Sequence, residues 1–280
     1  MELSVFLAVL AAAVMHAGWN VLVKLKLDRF LSLCLIQTLM GFMGLAMLLV
    51  FPVPSLASLP YALASGVLHL GYNLFLARSY RTGDLSQVYP IARGAAPLLT
   101  LAVTWTFMHE DLTLLGGIGV AVLVAGIWMI SLLGHRGMRL DGLTLFFAIG
   151  TSVFIAAYTI VDGMGGRASG QPSSYAGMVF VFDAIFLAAT AIGMRGPGIV
   201  REVAPYWKTG VVGATLSVGA YWIAIWAMTK APIASVAALR ETSILIVMLL
   251  SMRVLKETVS LPRLAGAALI VVGAVLIRLA

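Results

Sequence analysis

Cysteine is nearly missing: the 280-residue chain has one, Cys34. A lone thiol excludes an intramolecular disulfide and a cysteine metal cluster, and Cys34 reads as a small apolar helix residue. Charge is scarce too. Asp, Glu, Lys and Arg make up 10% of the sequence, against about 25% in a soluble domain. No P-loop lysine motif, His-Glu-x-x-His pair or Gly-x-Ser-x-Gly elbow occurs. Direct ATP drive, zincin-type metal chemistry and a serine-nucleophile elbow therefore have no signature, and no cofactor is expected. Asp141-Gly142 and Asp162-Gly163 both fall at the ends of apolar runs, where turns belong.

Apolar residues take the place of charge, at 61% of the chain with a mean hydropathy of +1.05. The expected fold class is an all-α integral membrane protein whose surroundings are a lipid bilayer. The 18 basic residues outnumber the 11 acidic ones, and most lie between the apolar runs. They read as topology signals beside an anionic leaflet, and no basic-aromatic motif points to nucleic acid. The N-terminal run has Glu2 and no basic n-region, and it continues to Val23. That is span length, so no cleavable signal peptide is expected.

Ten apolar runs are predicted, near 3–23, 31–51, 58–78, 85–108, 113–133, 141–161, 174–194, 207–229, 232–254 and 262–279. Each is close to the ~20 residues that cross a hydrocarbon core. The connections hold the turn and charge signals: Lys24–Arg29, Pro52–Pro54, Arg81–Asp84, Gly134–Asp141, Gly163–Pro172 and Arg195–Trp207.

The halves repeat at an offset of 147 residues: Arg93 falls on Arg240, Glu110 on Glu257, Gly119 on Gly266 and Gly126 on Gly273. We place the first repeat at residues 1–137 and the second at 138–280. Five crossings per half is an odd number, so the two five-helix repeats must be inverted relative to each other, as alternating access requires. Lys and Arg favour one face, 13 against 3, with the larger set following odd-numbered runs. The positive-inside rule then puts that face in the cytoplasm and both termini outside.

His109-Glu110-Asp111-Leu112-Thr113 with Gly119 and Gly126, and Lys256-Glu257-Thr258-Val259-Ser260 with Gly266 and Gly273, resemble the doubled E-x-L-T … G … G signature of the EamA family. That family lies in the drug/metabolite transporter superfamily, and the resemblance covers the whole chain. It implies that runs 1–4 and 6–9 surround a central cavity. Runs 5 and 10 would pack outside it or join a homodimer. It also implies export of amino acids, other metabolites or drugs without ATP, at the plasma (inner) membrane. Members are often drawn with both termini cytoplasmic, opposite to the charge count here. Physically, Thr113 and Ser260 are plausible N-caps for runs 5 and 10, with Glu110 and Glu257 near those positive helix ends. The seven-residue glycine spacing puts each pair on one face, open to close packing and hence to a dimer.

Arg93 and Arg240 are each the ninth residue of an apolar run. A guanidinium within a bilayer marks a functional site by default, and its planar fork suits a carboxylate, phosphonate or phosphate. Antiparallel runs would put the two roughly 9 Å apart along the membrane normal, at 1.5 Å per residue. Asp183 and Glu241 are the other intramembrane charges. They are candidate proton carriers, or counter-ions of the two arginines. Helix spacing adds a polar stripe on run 4 (Tyr89, Arg93, Pro97, Thr100, Thr104), where Pro97 can bend the helix. Run 1 carries His16, Trp19 and Asn20, and run 3 carries Ser65, His69, Tyr72 and Asn73. Tyr158 on run 6 and Tyr221, Trp222 and Trp226 on run 8 are aromatic candidates for stacking or covering a cation. The predicted substrate-binding set is Arg93, Arg240, His16, Trp19, Asn20, Tyr89, Tyr72, Asn73 and Tyr221.

These readings converge on a secondary transporter of a small polar metabolite, an amino acid or an organic or phosphonate anion, moved outward by alternating access. A drug or organic-cation exporter of the same fold is the alternative if the arginines are neutralised. An intramembrane enzyme with His16 or Asp183 as proton shuttle is a further reading, but it has no need of an internal repeat. A channel would show rings of charge or carbonyl-lining loops, which are not visible.

Overall fold

A computed structural model describes residues 1–22, 29–82, 85–132, 142–255 and 260–280. Within these, side chains are described for all but residues 21, 22, 29, 80–82, 85–90, 131, 132 and 250–255. The described residues form twelve α-helices and no strand: α1 (Leu3–Leu22), α2 (Arg29–Val50), α3 (Leu59–Thr82), α4 (Leu85–Phe107), α5 (Leu114–Leu132), α6 (Gly142–Ser169), α7 (Pro172–Arg195), α8 (Ile199–Val203), α9 (Trp207–Met228), α10 (Ile233–Arg240), α11 (Ser243–Leu255) and α12 (Leu261–Leu279). In lipid each N–H and C=O must be satisfied within its own segment, and helices do this. Six are long and apolar enough to span: α1, α2, α6, α7, α12 and the Ile199–Met228 stretch that contains α9. α4 and α5 contribute shorter apolar stretches, Ile91–Phe107 and Leu114–Ile130.

In three places these helices depart from the predicted runs. α6 does not stop near residue 161 but continues to Ser169. Asp162-Gly163 is therefore helix interior, and Asp162 is fully buried instead of sitting in a turn. The short α8 occupies part of the Arg195–Trp207 connection; it follows Gly196, whose φ of 79° favours a residue without Cβ. The ninth run is two helices, α10 and α11, parted at Glu241-Thr242. Here Glu241 N donates to Ala238 O (3.0 Å), and Thr242 N and Oγ1 both turn to Leu239 O (3.1 and 2.7 Å). Three-residue spacing of this kind tightens and ends an α-helix. α4 runs on as one helix through Pro97, so the discontinuity lies in α10–α11 and not at the proline.

The packing is symmetric under exchange of the halves. α1 packs on α9 as α3 packs on α6, α2 on α9 as α3 on α7, and α1 on α10 and α11 as α4 on α6. The matching helices α2 and α7 contact each other, as do α5 and α12. At the second seam a Cβ on Gly119 would lie 3.0 Å from Gly273 O, and one on Gly126 would lie 2.6 Å from Gly266 O. Only glycine permits that approach, and the pairing order makes α5 and α12 antiparallel. Gly44 and Gly177 form a comparable contact between α2 and α7, with a Cβ on Gly44 2.6 Å from Gly177 O. The signature glycines are thus buried against each other within one chain. They are not free to join two copies, contrary to the basis on which a dimer through runs 5 and 10 was expected. Such a dimer would have to use outward residues, among them Leu115, Ile118 and Val271, all exposed.

Ser260 occupies the N-cap of α12 without a side-chain bond, whereas Thr113 Oγ1 accepts from Gly116 N (3.1 Å) at the start of α5. Glu110 does not serve α5. Its Oε2 accepts from Ile233 N (2.9 Å), the first residue of α10 in the other half. Glu257 lies outside the described residues.

Candidate functional site

Between the two halves lies a small, partly open cavity. His16, Trp19, Tyr72, Asn73, Arg93, Arg240, Tyr221 and Asp183 all line it, so eight predicted residues from six helices meet in one place. Gln37, Met40, His69, Tyr158 and Ser217 complete much of the wall. Trp19, Leu33 and Ile36 also line it, near the end where α1 finishes and α2 begins. No described lining residue comes from the opposite end, where residues 51–55, 108–112 and 229–232 lie.

The two arginines have different surroundings. Arg93 Nε donates to Glu241 Oε2 at 2.9 Å, and its Nη2 lies 2.9 Å from Glu241 Oε1. This is a bidentate pair between α4 and the α10–α11 break, nearly closed to solvent. Arg93 Nη2 also meets His16 Nε2 at 3.0 Å. The other ring nitrogen, Nδ1, faces Trp19 Nε1 at 3.2 Å. A neutral imidazole offers one lone pair, so it accepts from one of these two donors at a time.

Arg240 has no such acid. Glu241, beside it in sequence, turns to Arg93, and Arg240 forms no ion pair among the described residues. Its guanidinium lies 4.9 Å from the centre of the Tyr221 ring, a cation–π contact. Of the two candidate counter-ions, Glu241 lies against Arg93, while Asp183 forms no ion pair with either arginine among the described residues. Asp183 Oδ1 lies 3.5 Å from His69 Nδ1 and has no hydrogen-bond partner among the described residues.

The aromatic wall is continuous. His69 stacks on Tyr158 with centroids 4.0 Å apart and stands edge-on to Tyr221 at 5.5 Å. Tyr72 meets Tyr158 edge-on at 5.8 Å. Behind the wall, Asp162 receives Tyr175 Oη at 3.0 Å and a short hydrogen bond from Tyr221 Oη. Tyr221 is therefore fixed by Asp162 on one side and carries Arg240 on the other.

Other predicted residues fall elsewhere. Asn20 does not face the cavity; its Nδ2 donates to His16 O (2.8 Å) and steadies the end of α1. The Tyr89 side chain lies outside the described residues. Thr100 and Thr104 donate to carbonyls of their own helix and do not line the cavity. Asp162 was missed as a site neighbour because Asp-Gly reads as a turn. His69 and Tyr158 were seen as pattern members but not placed in the binding set.

The profile of the EamA-like transporter family matches residues 3–132 and 142–279, once in each half. The chain belongs to the EamA-like transporter family. It is a multi-pass membrane protein of two family repeats, and the family is one of transporters rather than enzymes. Among solved structures it is similar to a crystal structure titled only "Crystal structure of protein". That chain is 19% identical with a TM-score of 0.78, and the likeness covers 100% of this chain and 98% of the other. The likeness carries the fold alone. No curated protein matches the sequence.

Proposed function

We propose that this EamA-like protein is a secondary exporter of a small zwitterionic metabolite, an amino acid or a close analogue. Arg240 holds the carboxylate, Asp183 receives the ammonium, and the aromatic wall packs the side chain. One observation carries the reading: Arg240 is a buried guanidinium at a cavity wall with no acid of its own among the described residues. A buried charge without a partner is costly, and a ligand carboxylate would supply that partner. Asp183, with one oxygen unbonded in the same cavity, gives the opposite charge a place. Arg93 then plays a supporting part: it is neutralised by Glu241 and holds the broken helix.

The antiparallel seams between matching helices support inverted repeats, and these support alternating access by rocking one repeat against the other. Basic residues cluster at the end where α1 finishes and α2 begins. Taken as cytoplasmic, that end is also the one nearest the lining residues Trp19 and Leu33, which supports entry from the cytoplasm and release outward.

The test is a thermal-shift comparison of phenylalanine, 3-phenylpropionate and phenethylamine on wild type, Arg240→Gln and Asp183→Asn. A ligand that binds only the folded state raises its stability. Phenylalanine should stabilise wild type and neither variant. Phenethylamine stabilising wild type and Arg240→Gln equally would replace this reading with an organic-cation exporter, which the Tyr72–Tyr158–Tyr221 cluster and Asp183 would serve.

A further inference from the structure

At the end of the bundle where α4, α6 and α9 finish, Arg167 near the end of α6 pairs with Glu110 at 2.5 Å. Arg167 Nε donates to Met228 O (2.9 Å) and its Nη2 to Ala231 O (3.2 Å), at the end of α9. Glu110 Oε2 accepts from the first N–H of α10. One carboxylate of the first half thus meets α6 and α10 of the second directly, and the end of α9 through Arg167, and this is the one ion pair at that end among the described residues. Glu110 is 6% exposed and Arg167 38%, so solvent reaches the clasp from one side only.

The chain bends sharply to make this contact. His109 has φ 49°, the left-handed region that a residue with a Cβ enters at a cost. Leu112 N returns to Glu110 O at 2.7 Å, closing the turn. This turn carries the Glu110 carboxylate across to the second half.

α10 connects the clasp to the cavity. Its eight residues, all buried, begin at Ile233 under Glu110 and end at Arg240 on the cavity wall. At 1.5 Å per residue the rod is about 12 Å long. Beyond it the chain breaks at Glu241-Thr242, so α10 can tilt without carrying α11. We propose that Glu110 and Arg167 are the gate of the closed face, and that α10 is the lever that links occupancy at Arg240 to that gate. Opening requires the clasp to part and the N-terminus of α10 to leave Glu110. The inference rests on the transporter reading above.

The test places cysteines at Glu110 and Arg167 in a Cys34→Ala background and joins them with a short, reductively cleavable thiol cross-linker. Phenylalanine exchange is measured in proteoliposomes and phenylalanine binding in detergent. Cross-linking should abolish exchange, leave binding intact, and release exchange on reduction. Full cross-linking with undiminished exchange would overturn the gate. Loss of phenylalanine binding in the wild type would instead sink the substrate reading. A ligand-free measurement covers failure of the double variant to fold: a membrane-impermeant maleimide applied to Ala231→Cys, buried beneath Arg167. Labelling should rise when Glu110→Gln is added, and unchanged labelling would overturn the proposal.

Discussion

Glu241 grips Arg93 with both carboxylate oxygens and leaves its own chain neighbour, Arg240, against the face of Tyr221. The helix break makes this possible, because Glu241 sits between α10 and α11 and its side chain reaches α4. Two arginines at equivalent repeat positions thereby acquire different surroundings: both line the cavity, but only Arg93 has a carboxylate partner among the described residues.

Removing one member of that pair should be far worse than removing both. Glu241→Gln leaves the Arg93 guanidinium buried and uncompensated, a loss of about 3–5 kcal/mol. The double variant Arg93→Gln with Glu241→Gln should recover much of it. Thermal unfolding in detergent of the two single variants and the double variant closes the cycle. Strict additivity would mean that the two side chains do not act as a pair.

Arg240 should behave in the opposite way. Arg240→Lys keeps the charge and loses the planar fork. Phenylalanine binding should weaken by about 1.5–3 kcal/mol, roughly a ten- to hundredfold rise in Kd. Stability without ligand should change little. Isothermal titration beside a melting curve separates the two effects, and a large unliganded melting loss would make Arg240 a structural residue.

Tyr175→Phe removes one of the hydroxyls that donate to Asp162 (3.0 Å) in a wholly buried site. An orphaned buried acceptor costs about 1–3 kcal/mol. Tyr221→Phe strips another hydroxyl and also loosens the ring that carries Arg240. It should therefore lower both melting temperature and phenylalanine affinity, whereas Tyr175→Phe lowers the first alone.

Much of the site was legible because burying a charge in an apolar run is conspicuous in one dimension. Arg93, Arg240, Asp183 and Glu241 stand out wherever the helices go. Their partners do not. The link from Arg93 to Glu241 spans 148 residues and that to His16 spans 77, and only the packing of helices decides them. The break at Glu241-Thr242 was illegible for a related reason: it contains no proline or glycine, and a continuous apolar run reads as one helix. Pro97 drew attention instead, and α4 continues through it as one helix. Asp162 shows the converse error, since Asp-Gly is a turn signal in water but can lie inside a long membrane helix.

Alanine at Gly126 would put a methyl carbon 2.6 Å from Gly266 O, against backbone that cannot swing away. Gly126→Ala should cost about 1–3 kcal/mol through overpacking. Gly193, where an added Cβ meets nothing within 4 Å, should accept alanine with little change. Matched melting curves for the two variants would check this, and equal tolerance would refute the close seam.

The glycine seam has a consequence for how the molecule is assembled. Because Gly119 meets Gly273 and Gly126 meets Gly266, each half presents a docking groove that its twin fits. The polypeptide is therefore a heterodimer written on one strand. Severed between residues 132 and 142 and co-expressed as two pieces, the halves should find one another through the close contacts of α5 and α12.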